Sequence, residues 1–121
     1  MNKLMHHQEL AAIRQIVQEI GGKTQRKCYT MLHHAVQLSL KAYPQRLQMK
    51  VIKLEIIQQT GESVIPDAAS RALARAADDI WNSGCRDKLE ALYGHPLSEK
   101  PTPLSIIYAI SDHIVAKGTD Q

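Results

Sequence analysis

Apolar positions recur at spacings of three and four along most of this chain, and no stretch alternates long enough to make a strand. Over residues 2–20 the row is Leu10, Ile13, Val17 and Ile20, and Gly21–Gly22 closes the helix it predicts. Thr24 is the expected N-cap of a second helix, about residues 25–43, with Tyr29, Leu32, Val36, Leu40 and Tyr43 along its inner face. Pro44 stops it. A third helix is expected from Gln45 or Arg46 to Thr60. Its apolar residues Val51, Ile52, Leu54, Ile56 and Ile57 are too many for a narrow stripe, which predicts burial on more than one side.

The next helix has the strongest local signals. Gly61 is expected in the left-handed region closing the third helix, and Pro66, preceded by Ser63 or Ile65, opens the fourth at its first position. Asp67 in the first turn complements the helix dipole. Ala69, Leu73, Ala76, Ala77 and Ile80 form a small-residue stripe suited to close packing. Ser70, Arg71, Ala74, Arg75, Asp78 and Asn82 fall on the opposite side. Arginines four apart, flanked by small residues, let a helix sit deep in a DNA major groove and reach base edges. An ordinary solvated face would show the same pattern, with Asp67–Arg71 and Arg75–Asp79 paired at i,i+4.

Beyond Trp81, Gly84 is a stop, Arg86–Leu92 a short helix and Gly94–Pro96 a turn. Trp81 with Leu89, Leu92 and Tyr93 is expected to cap the core. After a loop at 97–101, Thr102 caps a final helix with Pro103 at its first position. Leu104, Ile107, Ile110 and Ile114 form its inner row, and Gly118 is its expected end. The pattern predicts an all-α protein, a single domain over 1–121 with about six helices and a central helix-turn-helix at about 47–82.

Composition narrows the chemistry. The chain is 44% hydrophobic but has no Phe and only 4% aromatic residues, so its core must be built from Ile, Leu, Val, Ala and Met. No apolar run approaches the ~20 residues that span a bilayer, and no signal-peptide core is present, so a cytoplasmic protein without membrane association is expected. Cys28 and Cys85 have no framework spacing and are expected to be buried, reduced thiols. His6–His7 and His33–His34 are adjacent pairs, which point about 100° apart on a helix and cannot chelate as an i,i+4 pair does. His95 and His113 stand alone, so neither metal nor cofactor is expected. With no nucleophile–base arrangement, glycine-rich phosphate loop or clustered carboxylates, an enzyme is not expected either.

The net charge of +3 is unevenly spread. Residues 1–60 hold nine Lys and Arg against three acids, and residues 61–121 hold six against nine, so the halves carry +6 and −3. An anionic partner should meet the first half or the seam between them. Lys23, Arg26 and Lys27 crowd the start of the second helix, where cations oppose its dipole, which suits phosphate contact as well as a solvated basic turn. Lys50 and Lys53 are further phosphate-contact candidates, or simply the solvent edge of a buried helix.

A run of short matches in order gives the chain a family resemblance. They are EIG at Glu19–Gly21, a second helix ending near Tyr43, MKVI at Met49–Ile52 and ASR at Ala69–Arg71. A helix ending in Trp81 with Gly84 after it, LEALYG at Leu89–Gly94 and EKPTPLSIIYAISDHIV at Glu99–Val115 complete the set. Over about residues 10–116 the chain resembles the C-terminal DNA-binding effector domain of the sporulation master response regulator, stage 0 sporulation protein A. The resemblance implies a six-helix fold of the response-regulator effector type, related to winged helices, with the helix-turn-helix at its centre. It also implies double-stranded DNA as partner, binding as a homodimer on promoter boxes, and contact with RNA polymerase. The family's receiver domain has no counterpart within this sequence, which implies a standalone effector. Arg71 matches a base-contacting arginine of the family, Arg75 a polar or basic position and Ser70 a glutamate. Ala68 and Ala74 stand where the family carries arginines, and the turn at Glu62–Ile65 is longer by about two residues. Asp67, Asp78 and Asp79 add acid to a helix that should approach phosphate. A protein-interaction module that keeps the fold without reading DNA, a partner or antagonist of a full-length regulator using its first or last helix, is the alternative.

Overall fold

The computed structural model describes residues 3–60 and 66–119 and contains six α-helices, with no strand among the described residues. These are α1 (Lys3–Ile20), α2 (Lys27–Ala42), α3 (Met49–Thr60), α4 (Pro66–Ser83), α5 (Arg86–Tyr93) and α6 (Pro103–Thr119). The expected cap at Gly61, the residues Ser63 and Ile65 and the longer turn Glu62–Ile65 lie outside the described residues, and so does the side chain of Asp67, on which the Asp67–Arg71 pair depends.

The hub of the molecule is α2 rather than the α3–α4 pair. It packs against α1, α3, α4 and α6, and it buries Tyr29, Leu32, Ala35, Val36 and Leu38. The inner rows of the other long helices converge on it: Ile13, Val17 and Ile20 from α1, Leu73, Ala76 and Ile80 from α4, and Ile106, Ile107 and Ile110 from α6. The alanines of α4 let its axis come close to α2, while the branched aliphatics of α1 and α6 fill the volume that a Phe-free sequence must fill otherwise. Tyr43, expected on the inner row, is 38% exposed, because the helix has already ended at Ala42.

Several element boundaries differ from expectation for local reasons. Thr24 does not cap α2. The chain makes a turn in which the Arg26 amide donates to the Lys23 carbonyl, and Arg26 takes the cap position with no side-chain hydrogen bond. Residues 45–48 are not helical. Tyr108 of α6 donates its hydroxyl to the Leu47 carbonyl, and Arg46 lies 2.7 Å from Asp112 and stacks on the Tyr108 ring, so this segment is drawn toward α6 before α3 begins. At the other end of the chain α6 runs through Gly118 to Thr119, a difference within the ordinary variation of helix ends.

Among the described side chains, which do not include that of Ile57, the burial expected on more than one side of α3 is not found. Ile52 and Ile56 are fully buried, but Val51 is 39% and Leu54 49% exposed. Packing chiefly against α2 and α4, α3 has neighbours on one side and presents these two residues outward.

Two glycines hold the ends of helices. A Cβ at Gly84 would sit 2.1 Å from the Ile20 carbonyl oxygen and 2.5 Å from that of Ile80, so only glycine lets the end of α4 press on the end of α1. The Cys85 amide bonds the same Ile20 carbonyl at 3.2 Å. Gly94 closes α5 with φ of 81°, a conformation that favours glycine. At α6 the expected cap forms: the Ser105 amide donates to Thr102 Oγ1 at 3.1 Å, with Pro103 at the first helical position. Trp81 and Leu92 pack half-buried against the core around the buried Leu89, and the Arg86 guanidinium lies 3.4 Å over the Trp81 ring. Cys28 is half-buried, but Cys85, expected inside, is exposed at the connection into α5; both are free thiols. Among the described residues, no helix is long and apolar enough to cross a membrane.

Candidate nucleic-acid interface

The stripe Ala69, Leu73, Ala76, Ala77 and Ile80 faces the core and is buried throughout, which fixes the rotation of α4. Its outer side therefore carries Arg71, Ala74, Arg75 and Asn82, all exposed, with Ser70 and Asp78 half-buried at the margins. Arg71, Arg75, Asp78 and Asn82 form one row along the axis at spacings of four, three and four. Neither Arg71 nor Arg75 makes an ion pair or a side-chain hydrogen bond among the described residues.

The expected Arg75–Asp79 pair is absent, because Asp79 turns the other way. It is 6% exposed and accepts two hydrogen bonds on Oδ2, from the Tyr29 hydroxyl at 2.6 Å and from the Lys23 amide at 2.8 Å. The Arg26 guanidinium stands 3.7 Å from its other oxygen. Burial alone would raise the Asp79 carboxyl, yet the Tyr29 and Lys23 hydrogen bonds and the Arg26 charge outweigh it and hold the group below its ordinary 3.8. Burial and then the bond to this carboxylate push the Tyr29 hydroxyl up, so it stays a donor at every physiological pH. The same hydroxyl accepts the Gly22 amide at 3.3 Å. Asp79 thus fastens the loop carrying Lys23 and Arg26 to the side of α4.

Two of the acids on α4, Asp78 and Asp79, are accordingly less opposed to a polyanion than their formal charge implies. Asp79 is internal, and Asp78 pairs with Lys100 from the loop before α6. Both partners of that pair are half-exposed, so it adds little stability; its effect is to place a cation over the acid.

The sequence-predicted phosphate candidates separate into two groups. Lys23, Arg26 and Lys27 are exposed, and Arg26 and Lys27 share a groove of about 420 Å³ with Arg75, Asn82 and Ser83. Lys50 is exposed and Lys53 half-buried on α3, outside this groove. Arg71 lies on α4 about 6 Å nearer its N-terminus than Arg75, and it does not line the groove. A larger groove of about 690 Å³ runs along α5 and α6 between Leu92, Tyr93, Leu104 and Tyr108, and none of the predicted site residues lines it.

Tyr29 and Lys100 were not anticipated at this site, and Asp79 was expected outward, paired with Arg75. Its inward turn has a signal in the sequence: it sits three residues after Ala76 and directly before Ile80, on the border of the inward stripe, where an acid needs an internal partner. That the partner is Tyr29 carries no signal in local spacing. No known family model matches the sequence.

Proposed function

We propose that this protein is a DNA-binding transcriptional regulator that lays α4 in the major groove of double-stranded DNA, with α3 as the supporting helix of a helix-turn-helix. Arg71, Arg75 and Ser70 face the duplex, and Lys23, Arg26, Lys27, Lys50 and Lys53 supply the surrounding positive field. The observation that carries this reading is the outward row on α4: two arginines with no ion-pair partner among the described residues, beside small side chains, on a helix whose Asp78 is paired and whose Asp79 is internal. The family resemblance of the sequence supports it and extends it to a homodimer that acts in the cytoplasm and touches RNA polymerase.

A salt-titrated binding assay on a pool of random duplexes tests this. Binding at low salt that falls steeply as salt rises is expected, because neutralised phosphates release counterions. Arg71→Ala should reduce selectivity within the pool, by about 1–3 kcal/mol at one base position, whereas Lys27→Ala should weaken all sequences alike. No binding at low salt contradicts the reading.

The exposure of Val51 and Leu54 favours a second reading, an interaction module that holds another protein. It moves the contact surface to α3, away from the first and last helices expected from sequence. Self-association or capture of a full-length regulator, with no shift of any duplex, selects it.

A further inference from the structure

Arg71 and Arg75 look equivalent in sequence, but their surroundings divide them. Arg75 opens onto the groove at the start of α2, together with Arg26 and Lys27. Asn82 and Ser83 offer neutral donors on its α4 wall. The first turn of α2 adds to this, because no side chain caps it and its dipole there is positive. Two acids also line the groove, and both are answered: Asp79 by Tyr29, the Lys23 amide and Arg26, and Asp78 by Lys100. Arg71 stands one helical turn away, outside the groove and closer to the N-terminus of α4, the end from which recognition helices reach base edges.

We infer that the groove between the start of α2 and the C-terminal half of α4 is a phosphate site, in which Arg75 and Lys27 grip one backbone phosphodiester, leaving base reading on this helix to Arg71. This rests on the DNA-binding reading for its ligand, but the anion chemistry of the groove is testable without DNA. Arg75 then acts as a charge that sets the height and register of α4 on the duplex and carries no sequence information.

Lysine replacement separates the two roles, since an ammonium serves a phosphate but lacks the planar fork that reads guanine. Arg75→Lys should keep both affinity and sequence preference, while Arg75→Ala should bind every duplex several-fold more weakly, with the salt slope reduced by about 1. Arg71→Lys should lose preference. A changed preference in Arg75→Lys overturns the assignment and leaves the DNA-binding reading intact. In parallel, inorganic phosphate titrated into the ¹⁵N-labelled protein should shift the amides of Lys27, Arg75 and Asn82, and Arg75→Ala should abolish those shifts. Shifts there in a protein that binds no duplex would uphold the groove and sink the DNA reading; the absence of those shifts overturns the groove.

Discussion

Asp79 brings a formal charge into the interior beside α2, and its surroundings decide whether that charge helps or harms. Two hydrogen bonds and a nearby guanidinium satisfy it, so its removal should be felt by every element it joins. Asp79→Asn should destabilise the protein by about 1–3 kcal/mol at pH 7, the range for disturbing buried hydrogen bonds, with the half-exposed Arg26 pair adding little. The sign with pH follows from the depressed carboxyl. Its contribution is complete above the unfolded value near 3.8 and is lost as the pH falls through the lower folded value. Urea melts of wild type and variant should therefore differ most at neutral pH and converge as the pH falls below the ordinary carboxylate range. A gap that stays constant across the acid range would show that the carboxylate charge plays no part. Tyr29→Phe should reproduce part of the loss, and the double variant should cost less than the sum, as expected for groups in direct contact.

At the scale of elements, the end of α4 meets the end of α1 through close backbone contact at Gly84 and Cys85. Gly84→Ala forces a methyl against two carbonyl oxygens that cannot yield independently, so a loss of about 1–3 kcal/mol is expected, read as a lowered urea midpoint. An unchanged midpoint would mean that the ends of α1 and α4 are not in this contact. The rows that fill one face are largely legible in the chain: α4 buries its whole row, α1, α2 and α6 bury most of theirs, with Leu10, Leu40, Leu104 and Ile114 half-buried and Tyr43 exposed, and the Thr102–Pro103 signal places the start of α6. On α3, Ile52 and Ile56 are buried as expected but Val51 and Leu54 are not, because density of apolar residues says how much surface wants burial, not how many neighbours exist to bury it. Segment 45–48 was read as helix because its attraction to Asp112 and Tyr108 spans more than sixty residues of sequence. For the candidate site, the outward arginines of α4 were visible from spacing, while the inward turn of Asp79 depended on Tyr29, fifty residues away.

For the molecule as a whole, six helices around α2 place the basic turn 23–27 beside the outer row of α4, so the charge of the first half and the arginines of the second meet on one side. At the seam between the +6 and −3 halves, Arg26 and Lys27 of the first thus meet Arg75 of the second. The groove along α5 and α6 shares no lining residue with the one at the start of α2. An ¹H–¹⁵N titration of the protein with duplexes selected from a random pool tests this arrangement most directly. The account predicts that amides of Ser70, Arg71, Ala74 and Arg75 shift together with those of Lys23 and Lys27, while those of Leu92, Tyr93 and Leu104 stay in place. Shifts confined to the α5–α6 groove or to Val51 and Leu54, or none at all with selected DNA, would contradict it.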